Sequence, residues 1–306
     1  MLTPELTPSQ SIASSPSLPP TPDPCPLDLV IANYNECLTW LSTCASLATV
    51  YSKGKLPPDL SIFRAVEILP NWGRESHTYL HHIVHKYDDL ADVTLFLQGN
   101  IHDTNDGTPA HTALSLDEIV RMAQRLTELP DLLGNSICIQ NQPQDGVLAL
   151  GKIHSFADWD GVKYLPDWIK RRGKGLQRSP YSPEQFWNYI LNDTTDNEDP
   201  RWVAPPSEIR WTQGALFAVT RQTIQRHPRA VYERAYSYFH TLAHVNPEEG
   251  HYMERFWLGI FGQHEFNNPQ GKLYIPRPLK LSTEGADPLA AEEHSGAVED
   301  GDVIVL

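Results

Sequence analysis

The sequence predicts an α/β fold built as a single domain, a mostly parallel sheet flanked by helices. Three observations carry that prediction. Short continuous apolar runs, Leu29-Val30-Ile31-Ala32 and Val93-Thr94-Leu95-Phe96-Leu97, have the pattern of strands buried on both faces. Segments of helical periodicity alternate with such runs. Polar residues follow the runs directly, Asn33-Tyr34-Asn35-Glu36 after the first and Gln98-Gly99-Asn100-Ile101-His102-Asp103 after the second. Open parallel sheets bind ligands at that edge, outside the carboxyl ends of the strands.

The first strand ends at Asn33, and Leu38, Leu41 and Leu47 mark the inward face of a helix after it. Thr49-Val50-Tyr51 is a second strand closed by Ser52-Lys53-Gly54, and Ala65 to Leu69 suits a third. A helix then starts near Arg74, with Leu80, Ile83, Val84 and Tyr87 on one apolar face. Arg74, His77, His81 and His85 form a stripe on its flank, with Glu75 and His82 towards the other side. Asn71 and Gly73 suit a tight entry turn that leaves amides free for an anion. Histidines at successive i, i+4 positions suit either a metal or hydrogen bonds at the edge of a core. Ser115-Leu116-Asp117-Glu118 reads as a capping box opening another helix. Ser182-Pro183-Glu184-Gln185 repeats the device with proline at the first helical position. Between these two helices lie Ser136–Gln140 and a loop-rich stretch. A last strand, Ala215–Val219, follows Trp211-Thr212-Gln213-Gly214, and helices over Arg229–Ala243 and Glu248–Phe261 end the fold at Gly262.

Composition sets the limits. The chain has 306 residues and eight tryptophans, enough for a substantial core. Residues 1–27 form a Pro/Ser-rich arm, expected to be disordered and lacking the charged and apolar regions of a signal peptide. Residues 281–306 hold seven acids and no Lys or Arg, an expected acidic tail, which leaves 28–280 as the α/β domain. With Glu5 and Asp23 the two ends hold nine acids, so the formal charge of −14 falls to about −5 for the rest. Basic residues cluster within it: Lys163, Lys170, Arg171, Arg172, Lys174 and Arg178, suited to a phosphate backbone or to a solvated loop. Cys25, Cys37, Cys44 and Cys138 lack metal or disulfide spacing, and Cys37 and Cys44 are expected on a helix as small apolar residues. No segment is long and apolar enough for a membrane, and a cytoplasmic protein is expected.

Absent motifs narrow the chemistry. There is no Gly-x4-Gly-Lys-Ser/Thr loop, no dinucleotide fingerprint after the first strand and no Gly-x-Ser-x-Gly elbow. ATP hydrolysis, hydride transfer and esterase-type serine catalysis are disfavoured. One Asp-x-Asp occurs, Asp158-Trp159-Asp160, in a loop-like region. Two carboxylates so spaced on an extended segment face one side and suit the divalent metal of a nucleotide sugar.

Several ordered blocks together carry a resemblance. They are Val30-Ile31-Ala32-Asn33-Tyr34-Asn35-Glu36, Trp40-Leu41, Tyr51-Ser52-Lys53-Gly54, Pro70-Asn71-Trp72-Gly73-Arg74-Glu75, His77-Thr78-Tyr79-Leu80 and His82-Ile83. Further along come Phe96-Leu97-Gln98-Gly99, Gln213-Gly214-Ala215, Glu254-Arg255-Phe256-Trp257 and Ile260-Phe261. Over about residues 28–265 the chain resembles a largely fungal family catalogued as domain of unknown function 3431. The resemblance implies a scaffold of the glycosyltransferase-A type. The sequence is also similar to fungal arginine-containing cyclodipeptide synthases, which join arginine from aminoacyl-tRNA to a second amino acid as a diketopiperazine. The end of the Val93–Leu97 strand reads Gln98-Gly99-Asn100 where sugar transfer would use Asp-x-Asp, which suits other chemistry on that scaffold.

This resemblance implies aminoacyl transfer without ATP, cofactor or metal, with arginyl-tRNA and a second charged tRNA as partners. Glu75, His102 and Glu254 are the expected catalytic side chains. Asn33, Glu36, Lys53, Asn71, Arg74, His77, Gln98 and Gln213 are expected to bind substrate, with Glu36 or Glu254 matching the arginine fork. Lys170, Arg171, Arg172 and Lys174 are expected to meet tRNA phosphates. Ser52 and Ser76 are candidate acyl carriers. The alternatives are a metal-dependent glycosyltransferase using Asp158 and Asp160, and a non-catalytic binding module.

Overall fold

The computed structural model describes residues 27–102, 110–132, 146–162, 175–192 and 203–262. Both expected tails apart from Leu27, Ser136–Gln140, Cys25, Cys138 and the basic residues from Lys163 to Lys174 lie outside them; Leu27 belongs to the first strand rather than to the expected arm.

The strands are β1 (Leu27–Asn33), β2 (Ala48–Ser52), β3 (Ala65–Ile68), β4 (Val93–Gln98), β5 (Val147–Ala149), β6 (Ile153–Phe156), β7 (Ile209–Thr212) and β8 (Phe217–Thr220). Six of them form one sheet in the order β3-β2-β1-β4-β8-β5, while β6 and β7 pair antiparallel in a small second sheet. Strand β8 runs antiparallel to both β4 and β5; the β1–β2, β1–β4 and β2–β3 pairings are parallel. The fold is therefore α/β with a mostly parallel sheet, as the apolar runs predict. The helices are α1 (Arg74–Lys86), α2 (Leu116–Leu132), α3 (Pro183–Leu191), α4 (Arg221–Ile224), α5 (Arg229–Leu242) and α6 (Glu248–Phe261).

Alternation along each strand feeds two cores, one per face. Val30, Phe96, Phe217 and Val219 face the core that α1, α3, α5 and α6 complete. Leu29, Ile31, Leu95, Leu97 and Ala218 face the other, closed by Ile119, Ala123 and Leu126 of α2. Burying one such side chain stabilises the fold by about 1.5–3 kcal/mol. Both expected caps form. Glu118 accepts from Ser115 N at 2.8 Å, and Ser182 Oγ accepts from Gln185 N while Gln185 Oε1 accepts from Ser182 N.

Two local expectations fail. Leu38 to Leu47 is two 3-10 turns, Leu38–Leu41 and Ala45–Leu47, because Ser42 N and Cys44 N reach back three residues rather than four. Cys37 is accordingly exposed and bonded to Thr39, not packed as an apolar residue on a helix. Strands β5, β6 and β7 carry too few residues for a clear period, and the sequence reading has no strand there.

Order in the sheet fixes where a site can form. The chain lays β1, β2 and β3 side by side, then crosses back through α1 to place β4 on the other flank of β1. This reversal is a topological switch point, and ligands in open α/β sheets bind outside the strand ends there.

Candidate functional site

Parallel register brings three polar strand ends into line. Asn33 pairs with Ser52, Ala32 pairs with Gln98, and the amides of Lys53 and Gly99 donate to Asn33 O and Ala32 O. Because β8 is antiparallel, its leading residues, not its last ones, reach this same edge. Gln213 and Gly214 make a tight turn before it, with Gly214 at φ 76° and Ala215 at φ 52°. Helix α1 opens beside them.

That opening is unusual. Gly73 and Arg74 both adopt left-handed backbone, φ 59° and φ 54°. For Arg74, which has a Cβ, this costs about 1–2 kcal/mol. Gly73 N donates to His244 O at 2.9 Å, so it is not a free amide for an anion as the turn suggested. The Lys53 ammonium reaches over from the end of β2 and donates to Trp72 O at 2.6 Å and to Arg74 O. Ser76 Oγ donates to Gly250 O at 3.0 Å, tying the same turn to α6.

Glu75 follows at the second helical position and is buried. Its Oε2 lies 3.5 Å from Arg74 Nε, and its Oε1 accepts no hydrogen bond among the described residues. Burial raises its pKa; Arg74 pulls it down and the neighbouring Glu254 carboxylate pushes it up. Glu254, from the middle of α6, accepts from Gly214 N at 2.8 Å. Tyr79, one turn after Glu75, is fully buried against Phe96, Phe217 and Trp257. Its hydroxyl has no hydrogen-bond partner among the described residues, and burial together with Glu75 and Glu254 lifts its pKa. Burial lowers the Lys53 pKa to about 7, opposed by Glu75 and assisted by Arg74. Around the buried Glu75 and Tyr79 thus lie a second carboxylate, a guanidinium and a lysine of depressed pKa. Such opposing shifts are characteristic of acid–base sites, though structural ion networks also produce them.

At the switch point itself, Asn33 is buried, and its Oδ1 has no hydrogen-bond partner among the described residues. A Cβ on Gly99 would sit 2.6 Å from Glu36 Oε2 and 2.8 Å from Asn33 Oδ1, so a larger residue there would have to push these side-chain ends aside. Glu36 Oε2 also accepts from the amides of Tyr34 and Asn35. Gln98 is half-buried at the end of β4, Asn71 is half-buried in the turn before α1, and Gln213 N donates to Lys152 O.

Other expected site residues go elsewhere. His102 is exposed, with Nε2 bonded to Leu114 O at 2.8 Å and its ring edge-on to Trp40, and no contact among the described residues ties it to Glu75 or Glu254. His77 is buried outside the carboxylate group, stacked on Tyr236 with Nε2 3.3 Å from His240 Nε2, and burial holds it neutral far below its ordinary range. His81 bonds Glu67 and Tyr236, His85 bonds His81 O and His82 bonds Tyr51. The stripe is a hydrogen-bonded aromatic layer between α1 and α5, not a set of convergent metal ligands. Ser52 and Ser76 donate their hydroxyls to the carbonyls of Lys55 and Gly250. Asp158 is exposed and accepts from Gly161 N at 3.0 Å, capping its own turn. Lys170, Arg171, Arg172 and Lys174 are outside the described residues. Sequence reasoning missed Tyr79, whose signal was its i+4 spacing from Glu75 on the buried side of α1.

Among the described residues no helix is long and apolar enough to cross a membrane. No curated protein and no solved structure matches this chain. One family model does, described as "Protein of unknown function (DUF3431)", over residues 29–128 and 161–273, and it takes in both Glu75 with its turn and Glu254. The chain therefore belongs to that family.

Proposed function

We propose that this chain is an aminoacyltransferase of the cyclodipeptide synthase kind, joining arginine and a second amino acid drawn from charged tRNAs. The observation that carries the reading is Glu75: a buried carboxyl of raised pKa with one oxygen uncommitted among the described residues, beside Glu254, at the ligand edge of the sheet. An α-amine titrates near 8, so a carboxylate with its pKa lifted towards that value is a suitable base. The substrates themselves come from the sequence resemblance, and the mostly parallel sheet with one antiparallel strand supports a glycosyltransferase-A-like scaffold.

An aminoacyl ester is already activated, which agrees with the missing phosphate loop. In the proposed step Glu75 takes a proton from the amine of one aminoacyl group as its nitrogen attacks the ester carbon of the other. Arg74, paired with Glu75, supplies positive charge for the tetrahedral oxyanion. The ester C–O bond breaks, the tRNA 3′-terminal hydroxyl leaves with a proton, and a dipeptidyl ester remains. A second aminolysis within that ester closes the ring and frees the second tRNA. Both transfers pass directly between substrates, consistent with the occupied hydroxyls of Ser52 and Ser76. Glu254 and Glu36 are the carboxylates able to take the arginine fork. The use of charged tRNA supports a cytoplasmic location.

The test is the purified full chain with arginyl-tRNA and a mixture of other charged tRNAs, read by mass spectrometry for cyclic dipeptides. Cyclo-arginyl products are expected, with Asp158→Asn as active as the parent. No cyclic product would remove this reading, and manganese-dependent sugar transfer that Asp158→Asn abolishes while Glu75→Gln leaves it intact would put the glycosyltransferase one in its place. Charge reversal at Lys170, Arg171, Arg172 and Lys174 is expected to weaken tRNA use and flatten its salt dependence, because each phosphate contact adds roughly 0.7–0.9 to the logarithmic salt slope. An unchanged slope would mean that tRNA docks elsewhere.

A further inference from the structure

We infer that Lys53 is a positioning residue: by gripping the carbonyls of Trp72 and Arg74 it fixes the left-handed pair Gly73–Arg74, and so the direction in which Arg74 and Glu75 leave the start of α1. The inference concerns the same site as the proposed reaction, and only its kinetic arm rests on that reading.

The geometry is a bracket. The two carbonyls that Lys53 Nζ reaches lie at the two ends of the left-handed pair, one contributed by the residue before Gly73 and the other by Arg74 itself. Lys53 is itself anchored, its amide donating to Asn33 O where β2 leaves the sheet. The turn is held from the far side by Gly73 N on His244 O and by Ser76 Oγ on Gly250 O. A residue with a Cβ gives up about 1–2 kcal/mol to stay left-handed, and strain of this sort persists where its surroundings enforce it.

The choice of side chain says what the bracket is for. Lys53 is half-buried, and withdrawing its ammonium from water carries a desolvation cost that a neutral donor to the same carbonyls would not. Desolvation is the leading influence on Lys53 and brings it down to about 7; Glu75 opposes and Arg74 assists. The titratable and charged groups facing Lys53 are Arg74, Glu75 and, one turn along α1, His77, whose own proton affinity Lys53 lowers. Charge at Lys53 therefore couples to the turn and to Glu75 together. Losing the proton weakens the grip on Trp72 O and Arg74 O and removes a positive neighbour from Glu75.

The experiment follows the Glu75 carboxyl by carbon NMR in glutamate-labelled full-length protein, assigned with Glu75→Gln. In the parent, its resonance should show a second inflection at pH 7 or somewhat above, as Lys53 titrates. Lys53→Met should erase that inflection and move the Glu75 midpoint upward; Lys53→Arg, which keeps charge and donors, should erase the inflection with a smaller move. Apart from Glu75→Gln for assignment, the parent measurement needs no variant to fold. In the kinetic arm, the alkaline fall in cyclic dipeptide formation should shift to above pH 9 in Lys53→Arg and activity should drop in Lys53→Met. A purely structural lysine would leave that limb in place. If the Glu75 resonance moves as expected but no chain makes a cyclic dipeptide, the bracket stands and the proposed reaction falls. A Glu75 resonance blind to pH near 7 and unmoved in Lys53→Met would overturn the inference.

Discussion

Glu75→Gln is expected to cut cyclic dipeptide formation by ~100-fold or more, the usual scale of acid–base assistance. The substitution keeps the shape of the side chain and its place beside Arg74 but removes the proton acceptor. Stability should move the other way. Glu75 has its pKa raised in the folded protein, so its contribution to stability is fully present at pH below its unfolded value and is lost as pH rises through the folded one. The amide side chain of the variant cannot ionise, and the variant should therefore be as stable as the parent at acid pH and equally or more stable at pH 8. Activity and thermal midpoint read at both pH values test this. A variant that keeps its activity, or loses it only together with its fold, would remove Glu75 from the chemistry.

Gly73→Ala should be strongly destabilising. The new Cβ would meet Phe239 Cδ1 at 2.6 Å and His77 Cβ at 3.0 Å, while φ stays at 59°. Left-handed backbone costs about 1–2 kcal/mol for a residue with a Cβ, and overpacking a core adds about 1–3 kcal/mol. Gly175 supplies the comparison: its φ is 76°, yet nothing among the described residues lies within 4 Å of an added Cβ. Gly175→Ala should show the backbone cost alone. Denaturant midpoints of the two variants, taken with unchanged slopes, separate the terms. Equal losses would mean that Phe239 gives way freely and the turn is not clamped between α1 and α5.

Much of this fold was legible in one sequence because its signals are local. Strands β1, β2 and β4 are apolar runs buried on both faces, and α2 and α3 announce their starts with capping boxes whose bonds form within four residues. The helix carrying Glu75, the turn before it and the polar ends of β1, β2 and β4 were equally plain. Where the periodicity was too short the reading failed: Leu38 to Leu47 is two 3-10 turns, and β5 to β7 hold only three or four residues each.

By itself, then, the sequence determined that an α/β sheet presents polar strand ends beside a helix start rich in ionisable groups, since those features depend on contacts between near neighbours in the chain. Only the tertiary structure decided which of those groups share an environment. The antiparallel entry of β8 puts Gly214 at the edge to receive Glu254 from α6, a pairing across 40 residues. The crossing of α1 brings Lys53 under the carbonyls of Trp72 and Arg74, and α5 draws His77 away into an aromatic layer. Desolvation is the reason these placements matter. Sequence shows that a carboxylate, a lysine or a histidine is present, but its proton affinity is set by what surrounds it. In this chain that surrounding comes from helices and strands far apart in the chain.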